Sequence, residues 1–171
     1  METKINIAKI LKNKQEGTKL WTDMFGSVTL YVVTDACDAF QVKHHNKEPW
    51  FDKDGKLYEE GVLCIYPSKS MRDWSKFSWK KGDVLQNNDH NTQVIFDGFI
   101  SDTYEMVRCK YWLKVDNGIE RFIVETNVFT KDYFKVSEEL SQCYINEIEN
   151  RCGGKLNIET LEIEKQTEFK D

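Results

Sequence analysis

GVLCIYPSKSMRDWSKF, residues 61–77, is the stretch on which the fold turns. Val62-Leu63-Cys64-Ile65-Tyr66 is an apolar run of strand length, closed by Pro67, which cannot donate to a ladder. Ser68 or Ser70 then offers an N-cap for a single helical turn over Met71–Lys76. Trp74 and Phe77 would fold that turn back over the mouth of the unit to which the strand belongs. Lys80-Lys81-Gly82-Asp83 reads as a turn into a second unit. The stretch thus predicts the end of one small β unit and the start of another.

Upstream, KINIAKILKN (residues 4–13) sets Ile7, Ile10 and Leu11 at i, i+3 and i+4. With Asn6 as N-cap and Gly17 as a stop, this predicts a short amphipathic helix, too short to persist undocked. From Thr18 the period changes to two. TKLWT (18–22), VTLYVVT (28–34) and AFQVKH (39–44) are β-branched and aromatic runs separated by turn residues. Asp54-Gly55 predicts a hairpin turn between Trp50-Phe51 and Leu57-Tyr58. Several short strands, each with its own turn signal, suggest a small, strongly bent antiparallel barrel or sheet.

Downstream, residues 82–85, 93–100, 104–115 and 119–125 again read as strands, with Asn117-Gly118 the clearest hairpin turn. In the third of these, Tyr104, Met106, Arg108, Lys110 and Trp112 alternate with Glu105, Val107, Cys109, Tyr111 and Leu113. Neither face is plainly polar, so both are expected to be partly covered. Ser137 is a natural N-cap, with Glu138 and Glu139 in the first turn where the helix dipole favours them. Leu140, Tyr144, Ile148 and Cys152 give a narrow apolar stripe ended by Gly153-Gly154. KLNIETLEIEK (155–165) reads as a terminal hairpin turning at Glu159-Thr160, with fraying beyond Gln166.

The expected fold class is therefore mainly β with α (α+β). Two small SH3-like antiparallel β-barrel units stand in tandem, residues 1–79 and 80–171. A short helix opens the chain, and a helix plus β-hairpin closes it. Identity between the units is too weak to read as a repeat, although Gly17-Thr18-Lys19-Leu20 and Gly82-Asp83-Val84-Leu85 open them alike.

The 171 residues, 40% hydrophobic and 13% aromatic, suit a packed core rather than disorder. Only 2 prolines and 9 glycines are present, which leaves no long flexible linker. No apolar run is long enough to span a membrane, and METKINIAKILKNK does not read as a secretory signal. Five cysteines, an odd number with no CxxC pair, argue against a disulfide framework or a structural zinc site. Cys64, Cys109 and Cys143 read instead as small apolar residues. The net charge is -5 and unevenly spread. Residues 1–80 carry 13 basic against 11 acidic side chains, and residues 81–171 carry 11 against 18. An acidic second half argues against affinity for duplex nucleic acid.

GTKLW (17–21), FGSV (25–28) and FDKDGKLYEEGVLCIYPSKSMRDWSKF (51–77) together resemble a motif "G-T-x-L … F-G-x-V … F-D-x-x-G-x-Y … F-P-S-K-x-x-R-D-W-S-x-F". The motif recurs in a family of small proteins carried by phages, prophages and other mobile elements of gut anaerobes. SEELSQCYINEIENRCGGKLNIETLEIEK (137–165) is similar to the helix-plus-hairpin tail that often closes those proteins. Cys64-Ile65-Tyr66 departs from the family's C-L-L-F, and Lys155-Leu156-Asn157 replaces its aromatic-Asn pair. The resemblance implies a mobile-element origin and a tandem β-barrel fold, and it implies no known enzymatic activity.

Lys69, Arg72, Asp73 and Trp74 form the leading site candidate, with Trp50 and Arg108 as neighbours. A guanidinium offers a planar fork for phosphate or carboxylate, and an indole offers a stacking face. The competing reading is a structural latch, in which Arg72 pairs with an acid, Asp73 caps a turn and Trp74 fills the core. His44 and His45 are adjacent on a strand and point to opposite faces, so they cannot share an ion. Asp52 and Asp54 lack the remaining ligands of a calcium loop and read as hairpin turn. No phosphate-binding, zinc-protease or nucleophile-elbow motif is present.

By that family resemblance, and by analogy with small phage proteins that act by binding, the chain is expected to be a non-enzymatic phage-type binding protein in the cytoplasm of the bacterial host. It would inhibit an anti-phage defence system by binding a host defence protein or by sequestering a small nucleotide ligand, with no cofactor and no metal. The alternatives are a single-stranded nucleic-acid-binding module using exposed aromatics, or a structural or assembly component of a phage particle. Self-association stays open.

Overall fold

A computed structural model describes residues 5–58, 61–114 and 121–165. The Asn117-Gly118 turn and the chain end beyond Lys165 lie outside the described residues. The chain divides into two compact units. The first comprises Met1–Ser78 together with Ser101–Tyr104, and the second comprises Trp79–Ile100 and Glu105–Asp171. The first unit thus includes a four-residue return, which covers the turn after strand 93–100 and the first residue of the expected strand 104–115.

In the first unit, α1 (Ile7–Lys12) is capped by Asn6, whose side chain accepts the Lys9 N–H at 2.9 Å. It buries Ile7, Ala8 and Leu11. The helix ends at Asn13, not at Gly17. Gly17 instead adopts φ +91° to turn the chain into β1 (Lys19–Thr22). β2 (Gly26–Val33), β3 (Ala39–Lys43) and β4 (Trp50–Asp52) follow as a meander. The last strand, β5 (Ile65–Tyr66), pairs with β1, so the order is β4-β3-β2-β1-β5. Only the last two residues of the apolar run 62–66 join the sheet. β1 is four residues long and offers β5 only Trp21 and Thr22, so Val62 and Leu63 lie outside the ladder and are exposed.

The core holds Leu20, Val28, Leu30, Phe40, Val42, Phe51 and Ile65, with the Phe40 and Phe51 rings stacked at 5.4 Å. The Asp54-Gly55 turn forms as its sequence predicts, the Asp52 carboxylate accepting the Asp54 and Lys56 N–H groups at 2.9 and 3.0 Å. Gly55 stands at φ +81°, and a Cβ there would lie 2.7 Å from Ile7 Cδ1 and 2.9 Å from Leu63 Cδ1. Gly55→Ala should cost about 2–4 kcal/mol, from left-handed backbone strain and overpacking together. Urea unfolding measures it, and an unchanged midpoint would contradict this placement.

In the second unit, β6 (Val84–Asn87), β7 (Gln93–Phe99), β8 (Met106–Lys114) and β9 (Arg121–Phe129) form a meander. A 3₁₀ turn (Thr130–Asp132) then leads to β10 (Tyr133–Lys135), which pairs with β6. The order is β10-β6-β7-β8-β9. Both faces of this sheet are covered in part. Leu85, Val94, Phe96, Val107 and Cys109 pack with Trp79 and Tyr133 in one cluster. Val84 and Ile95 pack with Val136, Ile148, Leu156 and Leu161 in the other. These last residues come from α3 (Glu138–Cys152) and its approach, and from the hairpin of β11 (Gly154–Asn157) and β12 (Glu162–Lys165). Ser137 caps α3 and Gly153 ends it at φ +72°. Of the apolar stripe on α3, only Ile148 is buried, and Leu140 faces solvent.

The two sheets open in the same way, bond for bond. Gly17 N–H donates to Leu30 O and Leu30 N–H to Thr18 O, both at 2.8 Å. Gly82 N–H donates to Phe96 O at 2.9 Å and Phe96 N–H to Asp83 O at 2.8 Å. A β-bulge follows each, between Leu30 and Val32 and between Phe96 and Gly98. Past the first strand, Asp23 N–H bonds Cys64 O, and Asn88 N–H bonds Asp132 O. The resemblance between Gly17-Thr18 and Gly82-Asp83 is thus the visible trace of one backbone plan used twice.

The two β-rich units expected from the sequence form, but their strands do not close into barrels among the described residues. Each sheet is an open five-stranded antiparallel array, and no ladder among the described residues joins β4 to β5 or β9 to β10. β5 and β10 have two and three residues and each pairs with one strand, while among the described residues the three-residue β4 pairs with β3 and bridges only Leu57 on its other edge.

Candidate functional site

Alternation in β1 buries Leu20 and Thr22 and turns Trp21 outward, half-buried. Antiparallel pairing with β5 sets Trp21 directly opposite Tyr66, and residues so paired share a face. Thr22 holds the tight turn after β1. Its hydroxyl accepts the Phe25 N–H at 2.8 Å and donates to Gly26 O at 3.3 Å. That turn presents Asp23, which accepts the Trp21 indole N–H at 3.3 Å.

After β5 the chain doubles back through Pro67-Ser68. The Ser68 hydroxyl accepts the Met71 N–H at 2.9 Å and donates to Thr103 O at 2.6 Å. Ser68 is therefore a turn-former rather than the helix cap. Asp73 is the cap of α2 (Trp74–Phe77), accepting the Lys76 N–H at 3.1 Å. The doubling back returns Arg72 to β1, where its two terminal nitrogens donate to the Asp23 carboxylate at 3.0 and 3.4 Å. Its Nε–H donates to Lys69 O at 3.0 Å, and the guanidinium lies 4.5 Å from the Tyr66 ring centre. Lys69 Nζ sits 5.6 Å from the Trp21 ring centre.

Of the six residues singled out from the sequence, four take three different roles. Lys69 and Arg72 meet on one surface. Asp73 is a helix cap, and Trp74 is core, with its indole N–H donating to Ile65 O at 3.1 Å and its ring edge-on to Phe77. Trp50 is on β4, at the other end of the strand order, and no hydrogen bond or ring contact among the described residues joins it to Lys69 or Arg72. Arg108 belongs to the second unit. Asp23, Trp21 and Tyr66 complete the surface and were missed. The signal for two of them is a bulky aromatic at the outward position of an alternating strand.

In the second unit, Arg108 Nε–H donates to Asp97 at 2.9 Å and stands 3.4 Å from Glu125, while Lys81 pairs with the other Asp97 oxygen at 3.3 Å. Burial acts to raise the Asp97 carboxyl, but Arg108 and Lys81 outweigh it and hold the group below the usual carboxylate range. His44 and His45 do not point to opposite faces as expected: His45 stands at φ +53° past the end of β3 and its ring meets that of His44 edge-on at 4.4 Å, while His44 also lies against Phe25 and near Ser27 O. Among the described residues no group of three or more His, Cys, Asp or Glu is placed to hold a metal ion, and no helix is long and apolar enough to cross a membrane.

None of the five cysteines forms a disulfide. Cys64 and Cys109 are buried as the sequence predicts, and burial pushes the Cys109 thiol up to about 12. Cys143 departs from expectation, since it lies on the solvent side of α3. Under native conditions a thiol-reactive probe should modify Cys143 first and leave Cys64 and Cys109 protected until unfolding. Peptide mapping after brief labelling checks the order, and early modification of Cys109 would contradict it.

The chain matches no known family model, no curated protein and no solved structure.

Proposed function

We propose that this chain is a non-enzymatic binding protein of phage or mobile-element type, made of two small SH3-like units. Acting in the cytoplasm of a bacterial host, its first unit would engage a host defence protein and inhibit it. The observation that carries this reading is the half-exposed cluster of Trp21, Tyr66, Lys69 and Arg72. Trp, Tyr and Arg are the residue types that dominate the energetics of protein–protein contacts. The bidentate pairing of Arg72 with Asp23 favours a protein over a nucleotide, because the fork that would grip a phosphate already holds a carboxylate. The repeated strand order, with the last strand of each five-stranded sheet beside its first, supports the SH3-like assignment. The motif shared with mobile-element proteins supports the origin.

Capture from host lysate by the full chain, followed by affinity measurement with the purified partner, tests this. Trp21→Ala should weaken binding by about 30-fold, the scale of a hot-spot residue, while the melting temperature stays close to that of the parent. Equal affinity of the parent and Trp21→Ala would overturn the reading. So would thermal stabilisation by a nucleotide that disappears with Arg72→Ala, which would establish a nucleotide-sequestering protein instead.

A further inference from the structure

The outer face of β8 and β9 carries a second surface, in the other unit and independent of the first. Val107 and Cys109 point into the core, so Met106, Arg108 and Lys110 point away from it. Register pairs Met106 with Phe129, Arg108 with Asn127 and Lys110 with Glu125, placing these six on one face. An open cavity of about 380 Å³ is lined there by Ile100, Arg108, Glu125, Thr126 and Asn127. The bulge in β7 puts Gly98 beside Arg108, where a Cβ would come within 3.7 Å of Nη2.

Arg108 is held by its Nε–H alone, which faces Asp97 and Glu125. Its two terminal nitrogens, four N–H donors on the far side of the fork, make no hydrogen bond among the described residues, and the side chain is 45% exposed. Asn127, its cross-strand partner, likewise makes no side-chain bond among them. Beside these donors stand Ile100 and Phe129, exposed at 44% and 51%. A guanidinium anchored at one edge and open at the other is shaped to take a carboxylate through two parallel hydrogen bonds. The adjoining apolar side chains would cover an aliphatic or aromatic neighbour of that carboxylate.

We propose that this face is a docking site for an extended segment of a partner protein bearing an Asp or Glu beside an apolar residue. The carboxylate sits in the open fork of Arg108 with Asn127 donating alongside, and the apolar residue lies over Ile100 and Phe129. Charge complementarity selects this occupant. Lys81, Arg108 and Lys110 outnumber Asp97 and Glu125, and Lys131 Nζ lies 5.8 Å from the Phe129 ring centre, so the face carries a small excess of positive charge that suits an acidic side chain. A single carboxylate needs only the fork.

The test uses the full isotope-labelled chain and a blocked peptide, acetyl-Ile-Glu-Phe-amide, followed by shifts of the Arg108 Nε–H and Asn127 side-chain signals. The Glu peptide should shift both saturably at millimolar concentration. Its Gln analogue should bind at least about tenfold more weakly, the scale of losing a charged bidentate pair. Arg108→Lys keeps the charge beside Asp97 and should lose the same factor. If that variant misfolds, Asn127→Ala serves, with a smaller but measurable loss. Three results would overturn the proposal: no shift with the Glu peptide, equal binding of the Gln analogue, or inorganic phosphate binding as tightly as the Glu peptide. Retention of this binding in Trp21→Ala keeps it separate from the surface on the first unit.

Discussion

Tyr104→Ala should destabilise the first unit by about 3–5 kcal/mol, the cost of emptying a buried aromatic site. Tyr104 is 7% exposed and its ring meets Phe77 at 4.7 Å between centroids. Its hydroxyl donates to Lys19 O at 2.6 Å, joining residues 85 apart in the chain. The backbone there stands at φ +57°, a conformation a large L-residue holds only when its surroundings require it. Tyr104→Phe keeps the ring and loses the hydrogen bond, so it should cost about 1 kcal/mol, with a further penalty for the carbonyl left unpaired.

The same side chain gives an alkaline signature. Burial, with the nearby charge of Asp102, pushes the Tyr104 hydroxyl from 10.0 up to about 12. A raised folded value in an acid means that the neutral form is favoured by folding. Its contribution is complete below pH 10 and is lost as pH rises from 10 toward about 12. Chemical unfolding across that window should show stability falling with pH, less steeply in Tyr104→Phe. Some slope should survive in the variant, since burial also raises Tyr133. Parallel pH profiles for parent and variant would contradict the assignment.

Trp74→Ala should likewise cost about 3–5 kcal/mol. The indole is buried against Phe77, and its N–H satisfies the Ile65 carbonyl on the two-residue strand β5. Removing it opens a cavity and strips a partner from the shortest strand of the sheet. Arg72→Ala, two residues earlier, should cost only about 0–1 kcal/mol, because its pair with Asp23 is about half exposed on both sides. That contrast separates latch from surface within the stretch RDW. A denaturant midpoint for Trp74→Ala near that of Arg72→Ala would mean that Trp74 is not core.

What is legible in the sequence is local. The period-two runs, the Asp54-Gly55 turn and the Ser137-to-Gly153 helix each carry their signal within a few residues, and each forms where its residues predict. What is not legible depends on distant partners. Val62-Leu63 look as buried as Ile65, and only the reach of β1 decides that they are not. Tyr133–Lys135 is too short to announce a strand, and β10 exists because β6 offers an edge. Tyr104 has the composition of a strand residue, yet its place is fixed by Lys19 and Phe77. The candidate surface follows the same rule. Lys69 and Arg72 could be named from their chemistry, whereas Trp21, Asp23 and Tyr66 join them only through pairing across some 45 residues.

The return of Ser101–Tyr104 to the first unit bears on how the chain is made. Synthesis proceeds from the N-terminus, and domains ordinarily fold as their own segments emerge from the ribosome. Here a nascent chain that has reached Ser78 still lacks the Thr103 carbonyl for Ser68 and the Tyr104 ring for Phe77. By the time these arrive, β6 and β7 have already been extruded and await β8. The two units must therefore mature in overlapping intervals, and a break in translation between residues 79 and 100 leaves neither one whole.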